Sequence, residues 1–430
     1  MNYSRKFSDL IKNHQGYRLI SAVIVLLIIF TIYSFSLNRD WQYFDEKIIQ
    51  DEGIFPITNT ISEAIESISL FAFNYHTESN NTFFSNIINI RSNPLGAALY
   101  IAALFLFKKN FLYYHLISLA LHLINSFFVL IIFIEFLTFL NVSRARVFIF
   151  SSALTLIWAL HPANSEAILL GTNWSSLLNY TICFYFIHLI LTKTIKKEFE
   201  FSLIRTSLIT LLFFSSTLVS EYSIVIIPII YIISCSITYK EKNQVKESLK
   251  ASYSLCKPFF AGAFVFLLFS IYNHLHLKNI SGNYYSPLNF SIERIIWLSP
   301  QIFIHFLKLF FFPKTLSTYQ THFVKLSETD LSLYSLFSLV VFLFFIISPV
   351  LFIFIFKRNK LFPFFFSYCF LFSMAPYLHI ISPTYCLIAD RYCYFPSFCA
   401  IFSLIPFVQF LNLKKSQKNI FVTTLILITF

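Results

Sequence analysis

An acidic pair stands close behind the first apolar run of the chain, in the segment Tyr43-Phe44-Asp45-Glu46. A carboxylate in that place could take a proton from a hydroxyl group while its oxygen attacks an activated carbon. Adjacent carboxylates can also bind a divalent cation together. We therefore predict Asp45 as a general base, and Glu46 as a residue that assists it or helps bind a divalent metal ion, with no other cofactor expected.

A histidine and a carboxylate lie between two later apolar runs, in the segment Trp158-Ala-Leu-His161-Pro-Ala-Asn-Ser-Glu166-Ala, followed by Gly171-Thr-Asn173. Such groups are costly beside lipid, so they should face a polar cavity. We predict that His161, Glu166 and Asn173 line a substrate cavity.

Two arginines are candidates for holding a phosphate, because a guanidinium presents a planar fork of donors that suits phosphate oxygens. Arg91 precedes an apolar helix, where an interfacial anchor is the alternative role. Arg391 lies in Ala389-Asp390-Arg391-Tyr-Cys-Tyr394 at the entrance to a late span, where a simple ion pair with Asp390 is the alternative. Tyr394 is grouped with the two arginines as a phosphate contact.

His122 and Asn125 lie one turn apart on one face of a predicted helix, where they could reach the cavity or form hydrogen bonds between helices.

The composition indicates which kind of structure must hold these residues in place. Of the 430 residues, 57% are hydrophobic and 12% charged, and the mean hydropathy is +0.70, which excludes a soluble globular domain. Spanning segments in lipid must be helices or closed barrels, and apolar runs of about 20 residues indicate helices. We predict one all-α polytopic membrane domain over residues 1–430 with about 10 or 11 spans. The predicted spans are 19–36, 113–139, 147–160, 176–192, 202–219, 223–239, 258–277, 333–356, 361–381, 398–413 and a last one from about 419.

The net charge of +12 does not indicate a nucleic-acid partner, because the basic residues form short groups between apolar runs. Most of them fall on one side if the N-terminus is cytoplasmic, as the positive-inside rule expects. This parity requires that residues 94–107 and 295–313 lie along the outer surface or re-enter it without crossing. The first is short for a span, and the second carries Pro300, His305 and Lys308, which favour such a position. The outer face then carries residues 37–112, a large first loop, together with 161–175, 278–332 and 382–397. The chain stops inside the last apolar run, so we expect either a short final helix or a truncated sequence.

In their order, these segments resemble the membrane half of the transmembrane O-mannosyltransferase-like proteins that usually carry tetratricopeptide repeats, and their bacterial relatives. Those proteins belong to the GT-C class of glycosyltransferases. The resemblance covers about residues 40–400. It is carried by Asp45-Glu46, by Arg91 with Pro94-Leu95, by His161-Pro162 with Glu166, by Pro313-Lys-Thr-Leu-Ser317, and by Arg391, Tyr392, Tyr394, Pro396 and Ser397.

The resemblance implies a GT-C-like fold in a multi-pass membrane protein, with the bacterial inner membrane as the expected location. It implies an inverting hexosyl or mannosyl transfer on the outer face, from a polyprenyl-phosphate-linked donor to a protein or glycan acceptor. It also implies that the first acid, Asp45, is the base. Membrane lipids are the other expected partner.

The chain departs from the family's pattern at two places. Thr172-Asn173 stands where relatives have Gly-Arg, and Ser220-Glu221-Tyr222 stands where they have Ser-Lys-Glu. Two positive charges that could hold a phosphate are therefore absent. A noncatalytic membrane scaffold derived from such an enzyme is one alternative, and a polytopic transporter or flippase is another, although the centres of the apolar runs are nearly free of charge.

Overall fold

The computed structural model of the chain describes residues 15–37, 60, 62–63, 94–108, 110–242, 244–277, 291–314, 316–317, 332–355, 362–380 and 388–410. Within these ranges the regular structure is helical throughout and contains no β-strand. The helices are α1 (Gln15–Ser34), α2 (Pro94–Phe107), α3 (Phe111–Phe139), α4 (Arg144–Ala159), α5 (Ser165–Leu169), α6 (Trp174–Lys196), α7 (Leu203–Val219), α8 (Ile226–Lys242), α9 (Val245–Leu277), α10 (Ser299–Phe311), α11 (Leu333–Ile355), α12 (Phe362–Met374) and α13 (Tyr394–Phe410).

The predicted helical membrane fold is confirmed at this level. Five helical segments are long and apolar enough to cross a membrane, by length and composition: Phe111–Phe139, Gly171–Lys196, Glu221–Glu241, Val245–Tyr272 and Arg294–Phe311. A sixth results if α4 and the bent segment Pro162–Leu169 form one span. Further apolar helices, among them α7 and the first part of α11, are shorter, so the count of ten or eleven spans and the GT-C-like arrangement stay predictions.

The segment Arg294–Phe311 has the length of a membrane span, although its polar residues favoured a position that does not cross. Its 18 residues correspond to about 27 Å of helix, close to the thickness of a hydrocarbon core. Pro300 and His305, which favoured a position along the membrane surface, are buried against the rest of the protein. Pro300 and His305 thus face protein and do not argue against crossing, whereas Lys308, near the end of the helix, is exposed. That residues 94–107 and 295–313 lie along the surface stays a prediction.

The core is built around α3, which packs on α1, α4 and α6. Its aromatic side chains lie against α13: the rings of Phe133 and Phe398 are 5.7 Å apart, and those of Phe136 and Phe402 are 4.6 Å apart. Close aromatic packing of this kind adds attraction beyond the buried area. It joins helices from the first and last parts of the chain.

Serine, threonine and one glycine allow close approach in a second group of helices. Ser234 on α8 accepts hydrogen bonds from Thr194 on α6 and from Ser252 on α9. Gly262 on α9 faces α7, where a Cβ atom would lie 2.8 Å from the Phe213 ring and 3.1 Å from the Thr210 carbonyl oxygen. Small residues at such crossings let helix backbones approach each other.

One end of the bundle collects basic residues. Lys197, after α6, pairs with Glu241 at the end of α8 at 3.1 Å, and Lys240 lies 4.8 Å from the centre of the Phe139 ring at the end of α3. The ends of α3, α6 and α8 therefore lie together, as the predicted grouping of these basic segments on one side requires. Because α4 runs back from this end, residues 160–173 lie at the opposite end.

Candidate functional site

Two segments that the sequence singled out meet at the end of the bundle opposite the lysines. Residues 158–166 follow from the end of α4, and residues 390–397 lead into α13; we call their contact the motif junction. Helix α4 ends before Pro162, whose ring disfavours helical backbone at the residue before it. A short 3₁₀ turn, Pro162–Asn164, then redirects the chain by 55°, which turns Glu166 toward the other segment.

Glu166 and Arg391 form the centre of the motif junction. The Arg391 side chain donates from Nη1 to Glu166 Oε1 at 2.5 Å, and the Arg391 backbone N–H donates to Glu166 Oε2 at 2.7 Å. The side chain of Glu166 is only 5% exposed, and that of Arg391 is 12% exposed. A charge-assisted pair in such a place is stronger than a surface ion pair. Glu166 thus fixes both the backbone and the guanidinium of Arg391.

Asp390, the sequence neighbour of Arg391, contacts a third segment of the chain. Its Oδ2 accepts the backbone N–H of Ser317 at 2.7 Å, and the residue is buried. Ser317 ends the Pro313–Ser317 step that the resemblance singled out. Three of the ordered segments therefore come together at one place.

His161 is occupied by backbone contacts within the same region. Its Nε2 lies 2.9 Å from the carbonyl oxygen of Phe310 at the end of α10, and its Nδ1 accepts the N–H of Ala163 at 3.2 Å. A carbonyl can only accept, so the proton is on Nε2 and the ring is the neutral tautomer. This ring ties α10 to the turn after α4.

Two residues outside the predicted set complete the motif junction. Asn164 donates to the Trp158 carbonyl at 2.7 Å and accepts from Ser397 at 3.2 Å. The Trp158 indole donates to the Tyr394 carbonyl at 3.0 Å. The role of Asn164 had one sequence signal, its place in a proline turn between a histidine and a glutamate, but its partners follow only from the tertiary contacts.

Below the motif junction lies a fully buried polar layer. The Tyr394 hydroxyl is 2.8 Å from His122 Nδ1 and accepts from Asn125 Nδ2 at 3.2 Å. Asn125 also accepts from Thr181 on α6 at 2.7 Å. His122, Asn125 and Tyr394 are each without solvent exposure. The structure thus brings His122 and Tyr394 together, and the hydrogen bonds between helices that were one reading of His122 and Asn125 are present.

A group of tyrosines continues from Arg391 toward α6. The Arg391 guanidinium lies 5.2 Å from the centre of the Tyr392 ring, Tyr392 stacks on Tyr377 at 4.7 Å, and the hydroxyls of Tyr377 and Tyr180 are 3.0 Å apart. A cavity of about 10 Å³ adjoins this group, which is room for about one water molecule. It is lined by Asn179, Tyr180, Cys183, Tyr222, Val225, Ser373, Pro376, Tyr377 and Phe395.

Cys393 lies in the same turn as Arg391 and is buried. Burial raises the pKa of its thiol well above the usual value, and the nearby carboxylates of Asp390 and Glu166 raise it further. A thiol that stays protonated is a poor nucleophile. A buried thiol of this kind serves as a small apolar side chain. The other cysteines of the described helices, apart from the half-buried Cys235, are buried as well.

The remaining predicted residues are placed as follows. Asn173 lies in a 3₁₀ turn before α6, half-buried, and donates to the Ala167 carbonyl at 3.1 Å. Asp45, Glu46 and Arg91 lie outside the described residues. No cluster of three metal-ligating side chains occurs in the described ranges, and the acidic pair that could bind a metal is not among them, so the divalent ion stays a prediction.

One buried arginine was not predicted. Arg294 begins the π-helical turn before α10 and donates from Nε to the His379 carbonyl at 2.8 Å. In the sequence it stands in an apolar stretch after a glutamate and looks like a helix-end anchor. Its burial depends on the turn after α12, which folds over it.

Comparison with protein-family models, curated proteins and solved structures found no match to this chain.

Proposed function

We propose that this chain is a membrane glycosyltransferase of the GT-C class that transfers a sugar from a polyprenyl-phosphate-linked donor to a protein or glycan acceptor. The contact between Glu166 and Arg391 carries the proposal, because it joins two segments that the resemblance expects at the site, far apart in sequence, at one end of the bundle. The bacterial inner membrane is the proposed location, with this end on the outer face.

The proposed chemistry is a single displacement at the sugar. The acceptor oxygen bonds to the anomeric carbon as the bond to the donor phosphate breaks, and the carboxylate of Asp45 takes the acceptor's proton. The lipid phosphate leaves with the negative charge, and the anomeric configuration inverts. Glu46 assists Asp45, directly or by helping bind a divalent cation.

Arginine is suited to the charge that develops on the leaving phosphate. Glu166 holds the Arg391 guanidinium in a set orientation, and a donor phosphate would join Glu166 at that guanidinium. Arg91 is proposed as a second phosphate contact. His161 has a supporting role in this proposal, because both of its ring nitrogens are used by the backbone.

The test is sugar transfer by the full chain in membranes, with radiolabelled polyprenyl-phosphate mannose or another hexose as donor. Asp45→Asn should lower the rate by roughly 10²- to 10⁴-fold, which is the contribution of a general base. Asp40→Asn removes an acid five residues earlier and is the matched control; it should leave the rate within a few fold. Full transfer by the Asp45→Asn variant would refute the mechanism.

A noncatalytic scaffold is the second candidate, and a specific observation favours it. His122 and Tyr394 are fully buried and form a hydrogen bond with each other, and Arg391 forms an ion pair with Glu166. These groups therefore also hold helices together. For a scaffold, no polyprenyl-phosphate hexose would support transfer, and Asp45→Asn and Asp40→Asn would behave alike in every assay.

A further inference from the structure

The first part of α9 carries a row of exposed lysines. Lys246, Lys250 and Lys257 are all exposed, and their spacing of four and seven residues places them on one stripe of the helix. Lys257 lies 5.9 Å from the centre of the Tyr253 ring. Lys246 and Lys250 have no ion-pair partner in the described part of the chain. The stripe is therefore an open positive surface.

An exposed apolar stripe runs beside the lysines. Val245, Leu249 and Tyr253 repeat every four residues and are 57%, 41% and 54% exposed. Further along the same face are Phe260 and Phe264, also exposed. The opposite face, with Ser248, Ser252, Leu255 and Cys256, is buried against the bundle. Residues 245–257 thus form an amphipathic segment whose outward side combines apolar and basic groups.

The length of α9 places this segment at the edge of the hydrocarbon. Its 33 residues correspond to about 50 Å, against about 30 Å for a hydrocarbon core. The lysine-free part begins at Pro258, and the lysines occupy the turns before it, at the end of the bundle where Lys197 pairs with Glu241. Apolar groups at that depth meet acyl chains, and lysine ammonium groups meet lipid phosphates.

We infer that residues 245–257 of α9 form a binding surface for anionic phospholipids, with Lys246, Lys250 and Lys257 on the headgroup phosphates and with Val245, Leu249 and Tyr253 against the acyl chains. The charge of the surface selects an anionic lipid over a zwitterionic one. The continuous apolar stripe selects a lipid over a soluble anion. This surface is independent of the proposed sugar transfer.

The experiment measures binding of fluorescent phosphatidylglycerol, and of fluorescent phosphatidylcholine for comparison, to the full-length protein in detergent. A variant with Lys246→Gln, Lys250→Gln and Lys257→Gln should lose affinity for phosphatidylglycerol on the order of a hundredfold, at about fivefold per lysine near an anionic surface. Its affinity for phosphatidylcholine should not change. Lysine-to-arginine replacements at the same three positions should keep phosphatidylglycerol binding.

The matched control replaces Lys193, Lys196 and Lys197 by glutamine, which removes the same charge from the same end. Two of these lysines are already paired, with Glu198 and Glu241, so the control should lose at most a few fold. Inorganic phosphate should not compete. An equal loss in both variants, competition by inorganic phosphate, or no preference of the unmodified protein for phosphatidylglycerol would each overturn the inference.

Discussion

Glu166 binds Arg391 twice: one carboxylate oxygen accepts the arginine's backbone N–H at 2.7 Å, and the other accepts its side chain at 2.5 Å. The first contact sets the start of the turn that leads into α13, and the second sets the direction of the guanidinium. A carboxylate that accepts from both the main chain and the side chain of one residue fixes that residue more firmly than either bond alone. Glu166 therefore holds the turn before α13 at two points, beside the contacts that Asn164 and Trp158 make across the motif junction.

Glu166→Gln should destabilise the protein, because it removes the negative charge that lies against the largely buried Arg391 guanidinium. Breaking a buried pair typically costs about 3–5 kcal/mol. Adding Arg391→Met to the Glu166→Gln variant should recover part of the lost stability, since both charges are then absent. The measurement is thermal unfolding in detergent for the two single variants and the double variant.

The control for these three variants is Glu198→Gln, which removes the partner of Lys193 on an exposed turn. Glu198 is 54% exposed, against 5% for Glu166, so water screens its charge. A pair of this kind contributes about 0–1 kcal/mol, so the melting temperature should change little. If the stability losses from Glu166→Gln and Arg391→Met simply add in the double variant, the two residues are not coupled. Other contacts then hold the motif junction together.

Tyr394→Phe tests whether this hydroxyl holds the helices together or contacts a donor. Removing it leaves His122 and Asn125 with unmade hydrogen bonds in a buried layer, which costs about 1–3 kcal/mol. We expect a lower melting temperature and an unchanged KM for the donor. Tyr185→Phe is the control, because Tyr185 on α6 is partly exposed and contacts its neighbours through its ring. A raised donor KM without loss of stability would instead assign Tyr394 to the phosphate.

Gly262→Leu should weaken the crossing of α7 and α9. Even a Cβ atom at this position would lie 2.8 Å from the Phe213 ring and 3.1 Å from a backbone oxygen, so the helices must separate. Overpacking of this kind typically costs about 1–3 kcal/mol. Ala261→Leu adds a larger side chain at the exposed neighbouring position and should be nearly neutral. Equal melting temperatures for the two variants would contradict the close crossing.

The orientation of the chain can be tested with single cysteines. Ser79→Cys lies in the predicted outer loop 37–112 and should react with a membrane-impermeant maleimide added to intact cells. Lys242→Cys lies at the lysine-rich end and should react only after the cells are permeabilised. Cys386 lies in the predicted outer segment 382–397 and is replaced by serine in both variants. The buried cysteines of the described helices should contribute little background. Labelling in the reverse pattern would place the N-terminus outside.

The helices themselves followed from the sequence, because an apolar run of sufficient length in lipid has few alternatives to a helix. Predicted and observed boundaries agree within a few residues for most of them. The largest difference is at α9, which begins at Val245 and not near 258; α12 also ends at Met374, before the predicted 381. A hydropathy pattern stops at the lysines, but the backbone hydrogen bonding of a helix does not.

The sequence by itself also determined which segments matter at the motif junction, since histidine, glutamate and arginine between apolar runs are costly unless they have partners. It could not determine the partners. Arg391 pairs with Glu166, which is distant in sequence, and the adjacent Asp390 binds the backbone of Ser317. Those pairings depend on distances between helix ends, and these are set by the packing of α3, α4, α6, α10 and α13 against each other. Only the tertiary structure decided them, because side chains that are neighbours in sequence point in different directions on a helical turn.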